Sequence, residues 1–289
     1  MSSHSHSQNP YESDLQRILA EERGKKAANR VKSVVSWIIL LLLLALVFSG
    51  IEINFGFIDI NFIKLDPEFI KEYGPYIAEG ALQTILISIA SIFMAMILAL
   101  LSALARLSKS PPAVAVSTFY VSLIRGTPLY LQVIFFFLAL PQMGIYFSGF
   151  WAGVIALSLN YGAYMSEIFR AGILSVSTGQ HEAATALGMT SFQKMRFIVL
   201  PQALRLAIPP IGNEYIAMLK DSSLVSVTGF VRELLWRAQR VGRANFRNLE
   251  ALLIAAFFYW MLTLIFTAVQ ARIEARFSES EGAVKTLSH

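Results

Sequence analysis

The sequence predicts an all-α integral membrane protein, and three observations carry that prediction. Of 289 residues, 55% are hydrophobic and only 15% charged, where a soluble domain carries roughly 25% charged residues. The charges fall in clusters between long apolar runs, with a mean hydropathy of +0.57. Most lysines and arginines also sit on one set of connecting segments, as the positive-inside rule requires of cytoplasmic loops. The net charge of +5 is therefore explained by residues flanking spans, with no need for a nucleic-acid partner. With no cysteine, disulfides and thiolate metal sites are excluded.

In chain order, residues 1–33 form a polar cytoplasmic tail. It opens on a His-Ser repeat of low complexity, expected to be disordered and a weak basis for a metal site. Residues 34–50 form a first span; the long tail before it and the missing small-residue cleavage site argue against a signal peptide. Residues 51–76 carry Glu52, Asp59, Asp66, Glu68 and Glu72 against Lys64 and Lys71, an acidic balance suited to the outer face. Residues 77–104 span next and end at Arg106 and Lys109. After Pro111 and Pro112, residues 118–126 lie along the inner surface, and 127–140 cross outward. Residues 141–149 form an outer turn, 150–170 return inward, 203–219 go out and 249–271 come back. Each is near the roughly 20 residues a spanning helix needs.

Counting Lys and Arg on this six-span map places 16 inside and 8 outside. Six of the outer eight sit between Lys220 and Arg247, where they fit badly. Either that segment dips back into the protein, or its cations meet an acidic partner outside.

One polar island stands out between spans, His181 to Pro201, within an inward-facing loop of residues 171–200. A first helix would hold Ala183, Ala184 and Leu187 on one face, and Gly188 would end it in the left-handed conformation. Thr190 with Gln193 three residues on fits a capping box opening a second helix, which would end or kink at Pro201.

This stretch resembles the EAA signature of the membrane permease subunits of ATP-binding cassette (ABC) importers: Glu182-Ala183-Ala184, then Gly188, then Ile198, Leu200 and Pro201 at the family's spacing. Further likeness to the polar amino acid branch lies in Arg125-Gly126-Thr127-Pro128, in Asn160-Tyr161-Gly162-Ala163-Tyr164 and in Leu219-Lys220-Asp221-Ser222-Ser223-Leu224. The resemblance covers about residues 77–272. Thr178 departs from it, standing where proline is frequent.

The resemblance implies a type I permease fold of five core transmembrane helices, to which this chain adds one N-terminal span. It implies a transmembrane domain over 77–273 and a cytoplasmic tail over 274–289. It also implies residence in the bacterial inner membrane with both termini cytoplasmic, and import of amino acids handed over by an external binding protein. Two copies of an ATPase subunit and a second permease subunit would be partners. The coupling residues would be Glu182, Ala183, Ala184, Leu187, Gly188, Ile198 and Pro201.

The residues agree on where the energy must come from. No Gly-x-x-x-x-Gly-Lys-Ser/Thr phosphate loop occurs, so ATP hydrolysis belongs to another chain and this one is not an enzyme. Neither His-Glu-x-x-His nor Gly-x-Ser-x-Gly is present, and nothing calls for a cofactor or metal. Glu182 would anchor the island through a basic residue of a partner, through Lys194 or through Arg196; alternatively it is a first-turn carboxylate favoured by the helix dipole.

For the substrate path, Asn160 lies about 15 Å from either end of its span at 1.5 Å per residue, near the middle of a hydrocarbon core roughly 30 Å thick. An amide at that depth faces protein or a pocket. Glu167 has Arg170 one turn away as an ion-pair partner. Pro209 and Pro210 would break the following span, which is tolerated where backbone lines a cavity. Asn160, Tyr161, Tyr164 and Glu214 are the candidate path residues; hydrogen bonding between helices is the other reading. Gly149 and Gly153 mark either helix packing or a turn. The rival functions are a permease for another small polar solute such as an opine, and a secondary transporter or channel.

Overall fold

The computed structural model describes residues 10–54, 59–61 and 63–286; the His-Ser repeat lies outside them. By its internal contacts the chain divides into two units, residues 1–67 and 68–289.

The first unit is dominated by α1 (Pro10–Val47), so the polar tail and the first span are one helix of 38 residues. Every described side chain from Asn29 to Ser49 is exposed. Its apolar end, Asn29–Val47, is long and greasy enough to cross a membrane. β1 (Glu52–Asn54) and β2 (Asp59–Asn61) follow as one antiparallel pair, a small departure from the all-α expectation.

The second unit opens with α2 (Pro67–Ala78), α3 (Gly80–Leu107) and α4 (Pro111–Arg125). α5 (Leu129–Ile134) continues through a π turn, Phe135–Ala139, and a 3-10 turn, Leu140–Met143. α6 (Gly149–Leu174) leads into α7 (Thr178–Ala186) and α8 (Ser191–Lys194). A second π turn, Met195–Val199, joins α8 to α9 (Leu200–Asp221). A 3-10 segment, Ser222–Thr228, then precedes α10 (Leu234–Ala244) and α11 (Asn248–Thr286).

The core sits between α3, α6 and α9, and it is built on small side chains. α3 buries Thr84, Ser88, Ser91, Ala95, Ala99 and Ala103, while Leu82, Leu86, Phe93, Ile97 and Leu101 are exposed. Water would reverse that preference; lipid permits it, because apolar tails gain nothing from burying leucine and close backbone approach needs small residues. α6 answers with Ala152, Gly153, Ala156, Ser158 and Ala163, and Ser158 donates across to the carbonyl of Ser91 at 3.2 Å. The Gly149/Gly153 spacing is a packing surface: a Cβ on Gly153 would lie 2.5 Å from Val225 Cγ1.

Among the described residues, three helical stretches are long and apolar enough to cross a membrane, and four if the bent pair α4–α5 counts as one span. That pair turns through 105° at Gly126–Pro128, so residues 127–140 are half of a broken element and not a straight span of their own. α6 and α9 reach the needed length, with 26 and 22 residues, but carry polar groups that the next section accounts for.

Two proline expectations are corrected. Pro201 does not end a helix: it sits in the first turn of α9, where its missing N–H needs no partner. The π turn before it absorbs the register, with Leu200 N–H donating to Met195 O. Pro209 and Pro210 lie inside α9 without breaking it. Proline holds φ at a helical value, and α11 supports this stretch, Gln270 donating to Pro209 O at 3.2 Å and to Asn213 Oδ1 at 3.1 Å.

Candidate functional site

Two features are built on α6 and α9. One is the elbow α7–α8 that connects them. α7 ends as a Schellman motif: Gly188 has φ +74°, its N–H donates to Thr185 O at 2.9 Å, and Met189 N–H donates to Ala184 O at 3.1 Å. A left-handed turn at that point is cheap only for glycine. The capping box then forms, Gln193 N–H donating to Thr190 Oγ1 at 3.3 Å and Thr190 N–H to Gln193 Oε1 at 2.8 Å. Lys194 Nζ reaches back to Thr185 Oγ1 at 3.0 Å and braces the two helices.

The expected single face divides. Ala184 is buried, whereas Ala183 and Leu187, one turn apart, point outward with Leu187 82% exposed. Adjacent residues are 100° apart on a helix, and Leu187 is already the cap residue of α7, so its side chain leaves the face that Ala184 buries. Glu182 is exposed and lies in the second turn of α7, not the first. Neither internal cation takes it: Lys194 holds Thr185, and Arg196 stacks on Phe197 at 5.6 Å. Ile198 is half-buried in the π turn and Pro201 is exposed. Phe192 of α8 is a further outward apolar side chain, 73% exposed.

The other feature is a cavity of about 540 Å³ lined by Asn160, Tyr161, Tyr164 and Glu214 together with Arg125, Thr127 and Asp221. All four residues singled out by depth and polarity therefore meet in one space. The bend at Gly126–Pro128 forms one wall of the cavity, with α4 held against α6 by Tyr120, whose hydroxyl donates to Leu159 O at 2.7 Å. Gln132 pins that bend, donating to Ile124 O at 2.9 Å and Thr127 Oγ1 at 2.9 Å while accepting from Asn160 Nδ2 at 3.2 Å. Tyr161 donates to Asp221 Oδ2 at 2.8 Å, tying α6 to the end of α9.

Below the cavity, Glu167 is paired with Arg170 as expected, at 2.9 Å, and also with Arg106 of α3. Arg125 stands third in line at 3.8 Å and stacks over Tyr164 at 4.9 Å. Because two other guanidinium groups already satisfy Glu167, Arg125 is free to present charge to the cavity. The cavity wall thus opposes one guanidinium to two carboxylates, Glu214 and Asp221. That arrangement complements a small solute bearing both a carboxylate and ammonium groups.

The chain matches the family described as binding-protein-dependent transport system inner membrane component over residues 95–279. It belongs to that family. This permease is 44% identical to the L-cystine transport system permease protein TcyB of Bacillus subtilis, over 71% of its own length and 87% of the relative's. It is 39% identical to the arginine permease ArtQ of the same species, over 72% and 94%. Against the glutamine permease GlnP of Escherichia coli K12 it is 37% identical, over 70% and 93%. A solved amino acid ABC transporter with histidines superposes with a TM-score of 0.68 at 37% identity, covering 74% of this chain and 99% of that one. The MetNI methionine transporter, at 16% identity and a TM-score of 0.58, shares the fold. The family match begins after the whole of the 1–67 unit.

In this permease, sequence reasoning left Arg125, Thr127 and Asp221 out of the candidate path. Their signal lay in the Arg-Gly-Thr-Pro and Lys-Asp-Ser-Ser elements, which read as likeness to a family and not as cavity wall. The packing of α4 on α6, with Tyr120 donating to Leu159 O at 2.7 Å, brings the first of these against α6.

Proposed function

We propose that this permease is the transmembrane subunit of an ABC importer for polar amino acids. Substrate arrives from an external binding protein, and a pair of ATPase subunits docks on the α7–α8 elbow at the cytoplasmic face. Both termini are cytoplasmic, and a second permease subunit completes the pathway. One observation carries this reading: the elbow is covalently continuous with α6 and α9, the two helices whose side chains line the charged cavity. A displacement applied at Ala183, Leu187 and Phe192 therefore moves the wall that bears Asn160, Tyr161 and Glu214. The Schellman turn and capping box make the elbow stiff enough to pass that displacement on.

Arg125 opposite Glu214 and Asp221 supports the choice of amino acids, whose carboxylate and ammonium groups meet both signs at once. The names of the curated relatives point the same way. The test is reconstitution in proteoliposomes with the ATPase and purified amino-acid-binding proteins from the same cell. Uptake of labelled amino acid should require ATP, the ATPase and one binding protein. Uptake that proceeds without the ATPase and follows an ion gradient would replace this reading with a secondary transporter.

A further inference from the structure

The positive-inside rule is violated in one place, and the structure sorts the offending cations into two groups. Arg237 is absorbed by the fold: it donates to Tyr76 O at 2.8 Å and to Glu79 at 2.7 Å, and it stacks over the Tyr76 ring at 4.7 Å. Arg247 is held by Glu250 at 3.2 Å. Arg232, Arg240 and Arg243 are exposed, and none of them makes an ion pair among the described residues; Arg240 rests on the Trp236 ring at 5.2 Å.

α10 turns its apolar stripe, Leu234, Ala238 and Val241, into the protein. A helix lying on a bilayer does the opposite, burying its apolar face in lipid. The arginine face of α10 therefore points into water, on the side of the bundle opposite the elbow. Beside it runs a groove of about 620 Å³ lined on one side by Gln239, Arg240 and Arg243 and floored by Ser223, Leu224, Ser226 and Val227 of the 3-10 segment. At the end of α10, Phe246 has φ +55° and is 92% exposed. An aromatic held in a disfavoured conformation and shown to solvent is suited to contact a partner.

We infer that this groove is the docking site of an acidic protein surface approaching from outside, with Arg240 and Arg243 as the cations that meet it. The inference rests on the importer reading above, and it commits the occupant to the external binding protein. Charge complementarity is the reason: Arg240 and Arg243 are both exposed and both line the groove, and no acidic residue is among its lining. The groove floor gives the contact a consequence. Asp221, which accepts from Tyr161 in the cavity, is two residues from Ser223, so an occupant pressing on the floor acts on the cavity wall.

The test uses the reconstituted full-length importer in nanodiscs and the binding protein that stimulates its ATP turnover. Arg240→Glu with Arg243→Glu should raise the half-saturating concentration of that protein at least about tenfold, as loss of close charge pairs at an interface does. Basal ATP turnover should be unchanged. Raised salt should weaken stimulation of the wild type and have less effect on the variant. Arg240→Gln with Arg243→Gln, expected to shift half-saturation in the same direction by less, serves if the reversal does not fold. Half-saturation within twofold of wild type in both variants overturns the inference. So does a reversal effect that disappears in nanodiscs of neutral lipid, which assigns the arginines to anionic headgroups. Failure of any binding protein to stimulate the wild type overturns the importer reading itself, whereas stimulation that survives the reversal overturns only the docking site.

Discussion

Glu233 shows how one buried side chain makes a membrane protein sensitive to pH. It is fully buried, accepts from the N–H groups of Leu235 and Trp236 as the cap of α10, and receives the hydroxyl of Tyr259. No cation is among these bonded groups, so burial wins and its carboxyl is pushed up to about 7. The folded state then keeps a proton that the unfolded chain releases between the ordinary carboxylate range and neutrality. Its contribution is complete below that range and lost as pH rises through about 7, on the order of 3 kcal/mol in all. Thermal unfolding in detergent should therefore occur at lower temperature at pH 8 than at pH 5, and Glu233→Gln should remove most of that difference. Glu214 belongs to the same scale. Glu214→Gln keeps its shape and removes its charge from the cavity, and should lower uptake about 10- to 100-fold, the worth of a charged hydrogen bond. Uptake measured at equal membrane abundance is the check, and full activity removes Glu214 from the path.

Among the elements, the elbow is the one whose conformation a single residue controls. A side chain at Gly188 meets nothing within 4 Å, so only the backbone pays for a substitution there. Gly188→Val places a β-branched residue in the left-handed region at a cost of about 1–2 kcal/mol, enough to loosen the turn without unfolding the bundle. The expected result is a permease of normal abundance whose stimulated ATP turnover and uptake both fall, while Gly188→Asn, which tolerates that conformation, stays near wild type. The bent pair α4–α5 is the second controlling element. Its 105° turn converts a stretch that reads as a surface segment followed by a span into the third wall of the cavity.

At the scale of the whole chain, the family match lies entirely within the 68–289 unit, and the described side chains of the α1 span are exposed throughout. A chain beginning at Glu68 should therefore insert, fold and import at a rate within about twofold of the full protein per inserted molecule, as an independently cored domain does. Uptake normalised to immunoblotted membrane fractions tests this, and loss of insertion would assign α1 a part in assembly.

The turn and the cap of the elbow were readable in the sequence. Its turn at Gly188 and its capping box at Thr190 and Gln193 are local hydrogen-bond devices, set by residues within five positions of one another. Depth arithmetic also singled out Asn160, Tyr161, Tyr164 and Glu214, because polarity at mid-membrane is costly wherever it occurs. What no local rule contains is how distant segments meet. Gly126 and Pro128 permit a bend but do not state its angle, and the packing of α4 on α6, where Tyr120 donates to Leu159 O, brings Arg125 to Tyr164 and Glu167. The contact of Gln270 of α11 with Pro209 and Asn213 of α9 likewise spans distant segments, and Arg237 and Arg247 found the carboxylates that the fold carried into reach. Chain-local chemistry thus determined the turns and caps, and tertiary packing decided the charges, because their partners lie tens of residues away.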